Sequence, residues 1–285
     1  MDSSCILEVN QVTKTYPKTG IAALDDVTLS VRRGEIHGIV GEVGAGKTTL
    51  MKLLCGLYQV GSYQGEFLFE GTPLALRSTR DAIRLGIGAV PRRFSVFPRL
   101  SVAENIAVGG IQAEHRFFVS KGATEQEARA VLDRWGLTLD LYTPAGELTP
   151  IQQRLLMIAR SLATNSKLII LDEPSYGLKS PQAISQLFHM VRRLSERGIT
   201  CLYMARTPSD AFQIADRVTV LRDGTVAGLW ERMAFDEAAV ARAMASQRDG
   251  EPVNRDEEED RDEFGTGGIL GSLNSFFDHM FRPGS

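Results

Sequence analysis

Eight residues, Gly41-Glu42-Val43-Gly44-Ala45-Gly46-Lys47-Thr48, are the first whose types and spacing could do chemistry. In a GxxxxGK[ST] pattern the glycines let backbone N–H groups turn inward around phosphate oxygens with no Cβ in the way. Lys47 is spaced to reach the β- and γ-phosphates of a nucleoside triphosphate as a point charge. The Thr48 hydroxyl is placed to ligate Mg²⁺, with Thr49 next to it at the start of the following helix. The second reactive group is the run Leu168-Ile-Ile-Leu-Asp-Glu-Pro174. A carboxylate at the end of a strand can hold the magnesium shell, the role expected of Asp172. The next can face an attacking water, which makes Glu173 the candidate general base. Such a pair is often only a helix cap, but beside a phosphate loop the catalytic reading is the stronger.

These groups need a strand, a loop and a helix to hold them, and the flanking residues have that pattern. Val27, Leu29 and Val31 alternate with polar residues, Arg33-Gly34 reads as a turn, and Ile36 to Val40 is an apolar run ending at Gly41. Thr49 to Leu57 has helical spacing, with Gly56 and Gly61 to close it. Leu168 to Leu171 is continuously apolar, as expected for a strand covered on both faces in a parallel sheet. A helical stretch at about 183–197 and a strand from Thr200 to Met204 follow it. Strand, helix and strand in this succession predict an α/β sheet wound with helices. Residues of roughly 100–165 are mostly helical in pattern, including Glu125 to Trp135 and Gln152 to Leu162, which predicts an inserted helical subdomain.

Composition narrows the function classes. At 43% hydrophobic and 24% charged residues the 285-residue chain has the balance of a soluble globular protein, and no apolar run approaches a bilayer span. A complete one-chain pump is therefore not expected. Met-Asp-Ser-Ser-Cys lacks the basic head and apolar stretch of a secretory leader, which points to the cytoplasm. Cys5, Cys55 and Cys201 are too widely spaced for a zinc motif and odd in number, so reduced thiols are expected. The net charge of -3 conceals an asymmetry: residues 249–263 hold nine acidic side chains against Arg255 and Arg261, a net -7, which leaves +4 for the rest. That remainder is too mild for a nucleic-acid surface. The acidic stretch, 249–268, reads as a disordered linker after a domain of residues 1–248. Beyond it, Ile269, Leu270, Leu273, Phe276, Phe277, Met280 and Phe281 fall on one face of a helix expected over 269–282. That face could fold back on its own domain or dock to a partner protein or a membrane surface.

Several stretches carry a resemblance to a known family: Ala23-Leu-Asp-Asp-Val-Thr-Leu29, Gly34-Glu-Ile-His-Gly-Ile-Val40, Tyr63-Gln-Gly-Glu66, Leu100-Ser-Val-Ala-Glu-Asn-Ile106 and Ile214-Ala-Asp-Arg-Val-Thr-Val-Leu-Arg-Asp-Gly224. With the motifs above, the chain from Leu7 to about Gly228 resembles the ATPase domain of ABC transporters, in particular the branch serving monosaccharide importers. The resemblance implies a RecA-like P-loop NTPase core with an antiparallel β-subdomain and an inserted helical subdomain. It implies ATP and Mg²⁺ as ligands. It also implies that adenine stacks on Tyr16.

The same resemblance exposes departures. The family closes two such domains head to tail, each ATP lying between one phosphate loop and the other domain's LSGGQ-type signature. Where the family has a glutamine before Leu100, this chain has Arg92 in Val90-Pro-Arg-Arg-Phe94. Where it has a switch histidine, Tyr203-Met-Ala-Arg-Thr207 has Arg206. A guanidinium donates to phosphate but cannot accept from a water, and it repels Mg²⁺. The signature reads Leu148-Thr-Pro-Ile-Gln152, so proline and isoleucine replace two glycines and remove an N–H and close backbone approach. Thr149 as N-cap and Pro150 at the first helical position still suit a helix. Ser175-Tyr-Gly-Leu-Lys179 ends in lysine where many relatives have aspartate.

The expectation is a site that holds ATP but turns it over slowly, in one half of an ATPase pair whose other subunit has intact motifs. Permease subunits would anchor the pair peripherally at the cytoplasmic face of the membrane, importing a sugar-like or nucleoside-like solute. The alternative is a soluble regulator in which bound ATP changes shape and signals to a partner.

Overall fold

Strand pairing sets the frame. The structure, a computed structural model, describes residues 4–93, 95–114 and 121–245; the acidic stretch and the helix expected over 269–282 lie outside them. The chain runs β1 (Cys5–Thr15), β2 (Ala22–Arg32), β3 (Ile36–Val40), α1 (Lys47–Leu54), β4 (Gln64–Phe69), β5 (Thr72–Pro73), α2 (Thr79–Leu85) and β6 (Ile87–Val90). Next come α3 (Val102–Glu114), α4 (Lys121–Trp135) and α5 (Pro150–Leu162). The chain then returns to the sheet with β7 (Leu168–Asp172), α6 (Pro181–Glu196), β8 (Thr200–Ala205), α7 (Pro208–Phe212), β9 (Arg217–Arg222), β10 (Thr225–Glu231) and α8 (Glu237–Met244).

One sheet has the order β10-β9-β3-β8-β7-β6, parallel from β9 to β6, with β10 antiparallel at its edge. The other, β2-β1-β4-β5, is antiparallel. Every residue of β3, β7 and β8 is buried, so period-2 alternation sorts them between two cores. Ile169, Leu171, Cys201 and Tyr203 join the helices α3 to α6 in one cluster. Leu168, Ile170, Leu202 and Met204 join α1 and the antiparallel sheet in the other. Each fully buried Leu, Ile or Met contributes about 1.5–3 kcal/mol, so the central strands are the best-anchored part of the molecule.

Helix ends differ from expectation for local reasons. α1 starts at Lys47 rather than Thr49, because Gly46 (φ 102) turns the chain into it, and stops at Leu54. Gly56 is left-handed (φ +70), and the Leu57 N–H closes onto the Lys52 carbonyl as a turn. α6 begins at Pro181, two residues before the expected start, because the Ser180 hydroxyl accepts the Ala183 N–H. The region around 100–165 contains α3, α4 and α5 packed on one another, with Ile106, Leu132 and Leu156 in a shared apolar cluster.

Candidate functional site

The reactive residues gather because parallel strands end together. The phosphate loop follows β3, Arg92 follows β6, Asp172 ends β7 with Glu173 next, and Arg206 follows β8. Four carboxyl ends of one sheet therefore face a common crevice, the usual place for a ligand in an α/β fold.

Within the loop, glycine is required by contact. A Cβ on Gly41 would lie 2.5 Å from the Leu221 carbonyl oxygen, and one on Gly46 would lie 2.5 Å from that of Ala23. Gly44 and Gly46 both have positive φ, 82 and 102. The loop thus bends tightly and hands its chain to the first turn of α1, whose N–H groups point into the same space. Lys47, only 5% exposed, donates to the carbonyls of Gly41 (2.6 Å) and Glu42 (3.0 Å). Its ammonium is already inside the curve of the loop, where a triphosphate would lie. Ala45 and Thr49 are buried, Val43, Gly44 and Thr48 half-buried, and Glu42 exposed at the rim. A loop that tolerates no Cβ at Gly41 or Gly46, holding a cation in its curve, fits a phosphate chain.

Asp172 and Glu173 are both buried, at 7% and 8% exposure. The charge of Asp172 is felt nearby: with burial as the main cause, it helps push the Cys55 thiol up to about 12, an inert thiol. The donor set for a magnesium ion, one carboxylate at a strand end and one hydroxyl on the opposing helix, is of the right hard-oxygen type. Glu173 takes φ 42, a left-handed conformation unusual for glutamate, while its N–H bonds the Met204 carbonyl.

Arg92 reaches across to this residue. Its Nη1 lies 3.7 Å from Glu173 Oε2, and its guanidinium stands 5.2 Å from the centroid of the Tyr176 ring. Arg206 is exposed and, unlike Arg92, is not paired with Glu173. Tyr16, which the resemblance implies as the adenine platform, sits in the cluster under the antiparallel sheet. Tyr16 is 3% exposed, its ring is 5.9 Å from that of Tyr58, and its hydroxyl is shared with those of Thr49 (3.0 Å) and Tyr58 (3.2 Å). In this arrangement the ring lies within the apolar core.

One residue that organises this crevice escaped the sequence reading. Arg154 of α5 is fully buried and donates to the carbonyls of Pro91 (2.7 Å), Arg92 (2.9 Å) and Tyr176 (3.3 Å). Burial lowers its pKa to about 10, against the nearby charge of Asp172, so it stays protonated at neutral pH. It ties the helical region to the Arg92 loop and to the segment after Glu173. Its signal was available: it stands three and four residues before Met157 and Ile158, on the buried stripe of an amphipathic helix. Asn105 likewise holds the segment after Arg92 through the backbone of Phe97, Leu100 and Ser101. The Ser175 hydroxyl donates to Asp210, joining the segment after Glu173 to α7. The segment expected to hold the signature is a regular helix start: Thr149 and Gln152 form a reciprocal capping box with Pro150 in the first turn.

The sequence profile of the ABC transporter family matches residues 24–176. The chain belongs to the ABC transporter family. The xylose import ATP-binding protein XylG of Moorella thermoacetica is 40% identical over 223 residues, 78% of this chain and 44% of that protein. Ribose import ATP-binding protein RbsA 1 of Rubrobacter xylanophilus is 39% identical over 224 residues, with the same coverage. The chain therefore spans less than half the length of these ABC relatives. A nucleotide-free ATP-binding cassette from an ABC transporter shares the fold, with a TM-score of 0.74 at 23% identity over 85% of this chain and all of that one. A dimeric bacterial ABC transporter cassette gives a TM-score of 0.68 at 26% identity, covering 80% of this chain and all of the other. The RecA-like ABC ATPase fold expected from the sequence is thus the fold observed. Among the described residues no helix is long and apolar enough to cross a membrane.

Proposed function

We propose that this chain is the ATP-binding, catalytically weakened half of an ABC importer's ATPase pair, moving a sugar-like or nucleoside-like solute. The observation that carries the reading is the pairing of Arg92 with Glu173 at 3.7 Å, at a site that otherwise keeps its phosphate loop and carboxylates. Lys47 and the loop N–H groups would grip the β- and γ-phosphates, while the Thr48 hydroxyl and Asp172 would hold Mg²⁺. When bound, the ion neutralises charge on the phosphate oxygens.

Hydrolysis needs more than grip. A general base must accept a proton from a water placed in line with the γ-phosphate. In this reading Arg92 competes for the carboxylate that would do so. A guanidinium has no acceptor and cannot orient the water as an amide can. Arg206 adds a second donor toward the γ-phosphate and no base. Positive charge at both positions stabilises bound triphosphate more than it speeds turnover. Pro150 offers no N–H to a γ-phosphate across a dimer interface, so a homodimer would have two altered signatures. We therefore place a second ATPase subunit with intact switch and signature residues beside this one. Permease subunits would anchor both at the cytoplasmic face of the membrane.

The test is recovery of the tagged chain from native membranes, with mass spectrometry of what comes with it. A permease together with a distinct ATPase chain is expected. A permease without another ATPase would overturn the pairing, and a wholly soluble chain would overturn the transport role.

A further inference from the structure

The central sheet also carries a site at its other end. Strands β3, β7 and β8 send their carboxyl ends to the nucleotide crevice, and their amino ends open on a cavity of about 300 Å³. Arg33 precedes β3, Lys167 precedes β7 and Thr200 begins β8, while Arg134 and Trp135 of α4 form the opposite wall.

This end is strongly basic. Arg134 and Arg197 place their guanidinium carbons 5.7 and 5.5 Å from the Trp135 ring centroid. Arg193 donates to the carbonyls of Trp135 (2.9 Å) and Gly136 (3.0 Å), and Arg197 donates to that of Arg134. These contacts fix the three arginines in place. Among the described residues none of the three pairs with a carboxylate, so their charges repel one another unless an anion sits among them. Arg33 and Lys167 show what such an anion can be: they share Glu70, at 2.8 and 2.5 Å. Hydrogen bonds from Lys167 and Arg33 hold that carboxylate below its ordinary range.

We infer that this basic end binds a run of carboxylates, and that the occupant is the chain's own segment from Asp249 to Glu263. Charge complementarity is the first argument. The segment is net -7 and includes five consecutive acidic residues, Asp256 to Asp260, facing a surface whose three arginines have no counter-ion among the described residues. Reach is the second. α8 ends at Met244 and packs on β9 and β10. Arg222 at the carboxyl end of β9 donates to the Ala243 carbonyl, so the path to the cavity crosses three strand spacings, roughly 14 Å, and one strand length, roughly 20 Å, or roughly 25 Å in a straight line. The eleven residue steps from Ala245 to Asp256 can span roughly 36–40 Å, against a radius of gyration of roughly 18 Å for a folded unit of this size. The acidic run therefore reaches the cavity without leaving its own domain. Its capture would direct residues 264–285 away from the nucleotide crevice, and it does not depend on whether that crevice hydrolyses ATP.

The experiment is zero-length carbodiimide coupling of amines to carboxylates in the full chain, followed by peptide mapping. Coupling of Lys167 to Glu70 is the internal control. The expected result is a second product joining Lys167 to a carboxylate within 249–263, within one isotopic class when ¹⁵N-labelled and unlabelled chains are mixed. Arg134→Glu with Arg197→Glu should lower its yield about fivefold and leave the Glu70 product. Because those variants touch the packing of Trp135, a second measurement replaces the five acidic residues 256–260 by their amides in a Trp230→Phe background. Trp135 emission should shift in the parent at 0.5 M salt, where the Debye length falls to roughly 4 Å, and not in the amide variant. Coupling of the acidic run to other lysines, coupling only between isotopic classes, or the Glu70 product alone would each overturn the inference.

Discussion

At the phosphate loop, every constraint imposed by the fold is met by the residue present. Glycine stands at Gly41 and Gly46, where any Cβ would strike a carbonyl, and Lys47 lies in the curve of the loop. Around Glu173 the fold is equally well kept, and under the proposed function the chemistry is not. Arg154 braces the Arg92 loop with two hydrogen bonds and the segment after Glu173 with a third, and what it positions is a guanidinium against the candidate base. Under that reading architecture and reactivity are separable. The parts that grip phosphate depend on backbone shape, and the parts that direct water depend on single side chains.

The comparison breaks most directly at Lys47. Lys47→Ala should weaken ATP binding by about 10- to 150-fold, the loss of a charge-assisted contact, as read by calorimetry. If affinity holds, the loop is not the seat of binding. The second-largest effect is expected on the other side of the comparison. Arg92→Gln with Arg206→His should raise single-turnover hydrolysis by about 10-fold or more, within the range of a positioned acid or base, with little change in affinity. A rate that stays flat would mean that the two arginines are not what slows this site.

Much of this was legible in the residues. The loop, the strand before it and the carboxylate pair follow from spacing, because a tight phosphate turn admits few residue types. α1 runs from Lys47 to Leu54, two residues earlier at its start and three at its end than the spacing of Thr49 to Leu57 predicts, since local capping decides ends, while the left-handed Gly56 closes it as expected. Tyr16 was read for its ring, yet its neighbours Thr49 and Tyr58 hold it in the core, a tertiary fact that no local pattern carries. Arg154 was missed for a related reason. Its three acceptors are backbone carbonyls, which sequence identity does not disclose.

Two effects on stability sharpen the same contrast. Arg154→Met removes three hydrogen bonds from a buried cation while keeping most of its volume, and should cost about 2–4 kcal/mol in urea unfolding. It should also free the Arg92 loop from its place beside Glu173. Unchanged stability would deny that the brace matters. Thr149→Ala removes the cap of α5 and should cost about 1 kcal/mol, in keeping with a signature segment retained for its fold. A larger loss, or one of ATP affinity in the isolated chain, would give it a role beyond that.

The most direct test of the central claim is ATP turnover by the purified chain, compared with Glu173→Gln, under conditions where bound nucleotide is measured in the same sample. The account predicts stoichiometric ATP binding by both proteins and no sustained hydrolysis by either, so that the substitution changes nothing measurable. Multiple turnover by the parent chain, abolished by Glu173→Gln, would contradict it.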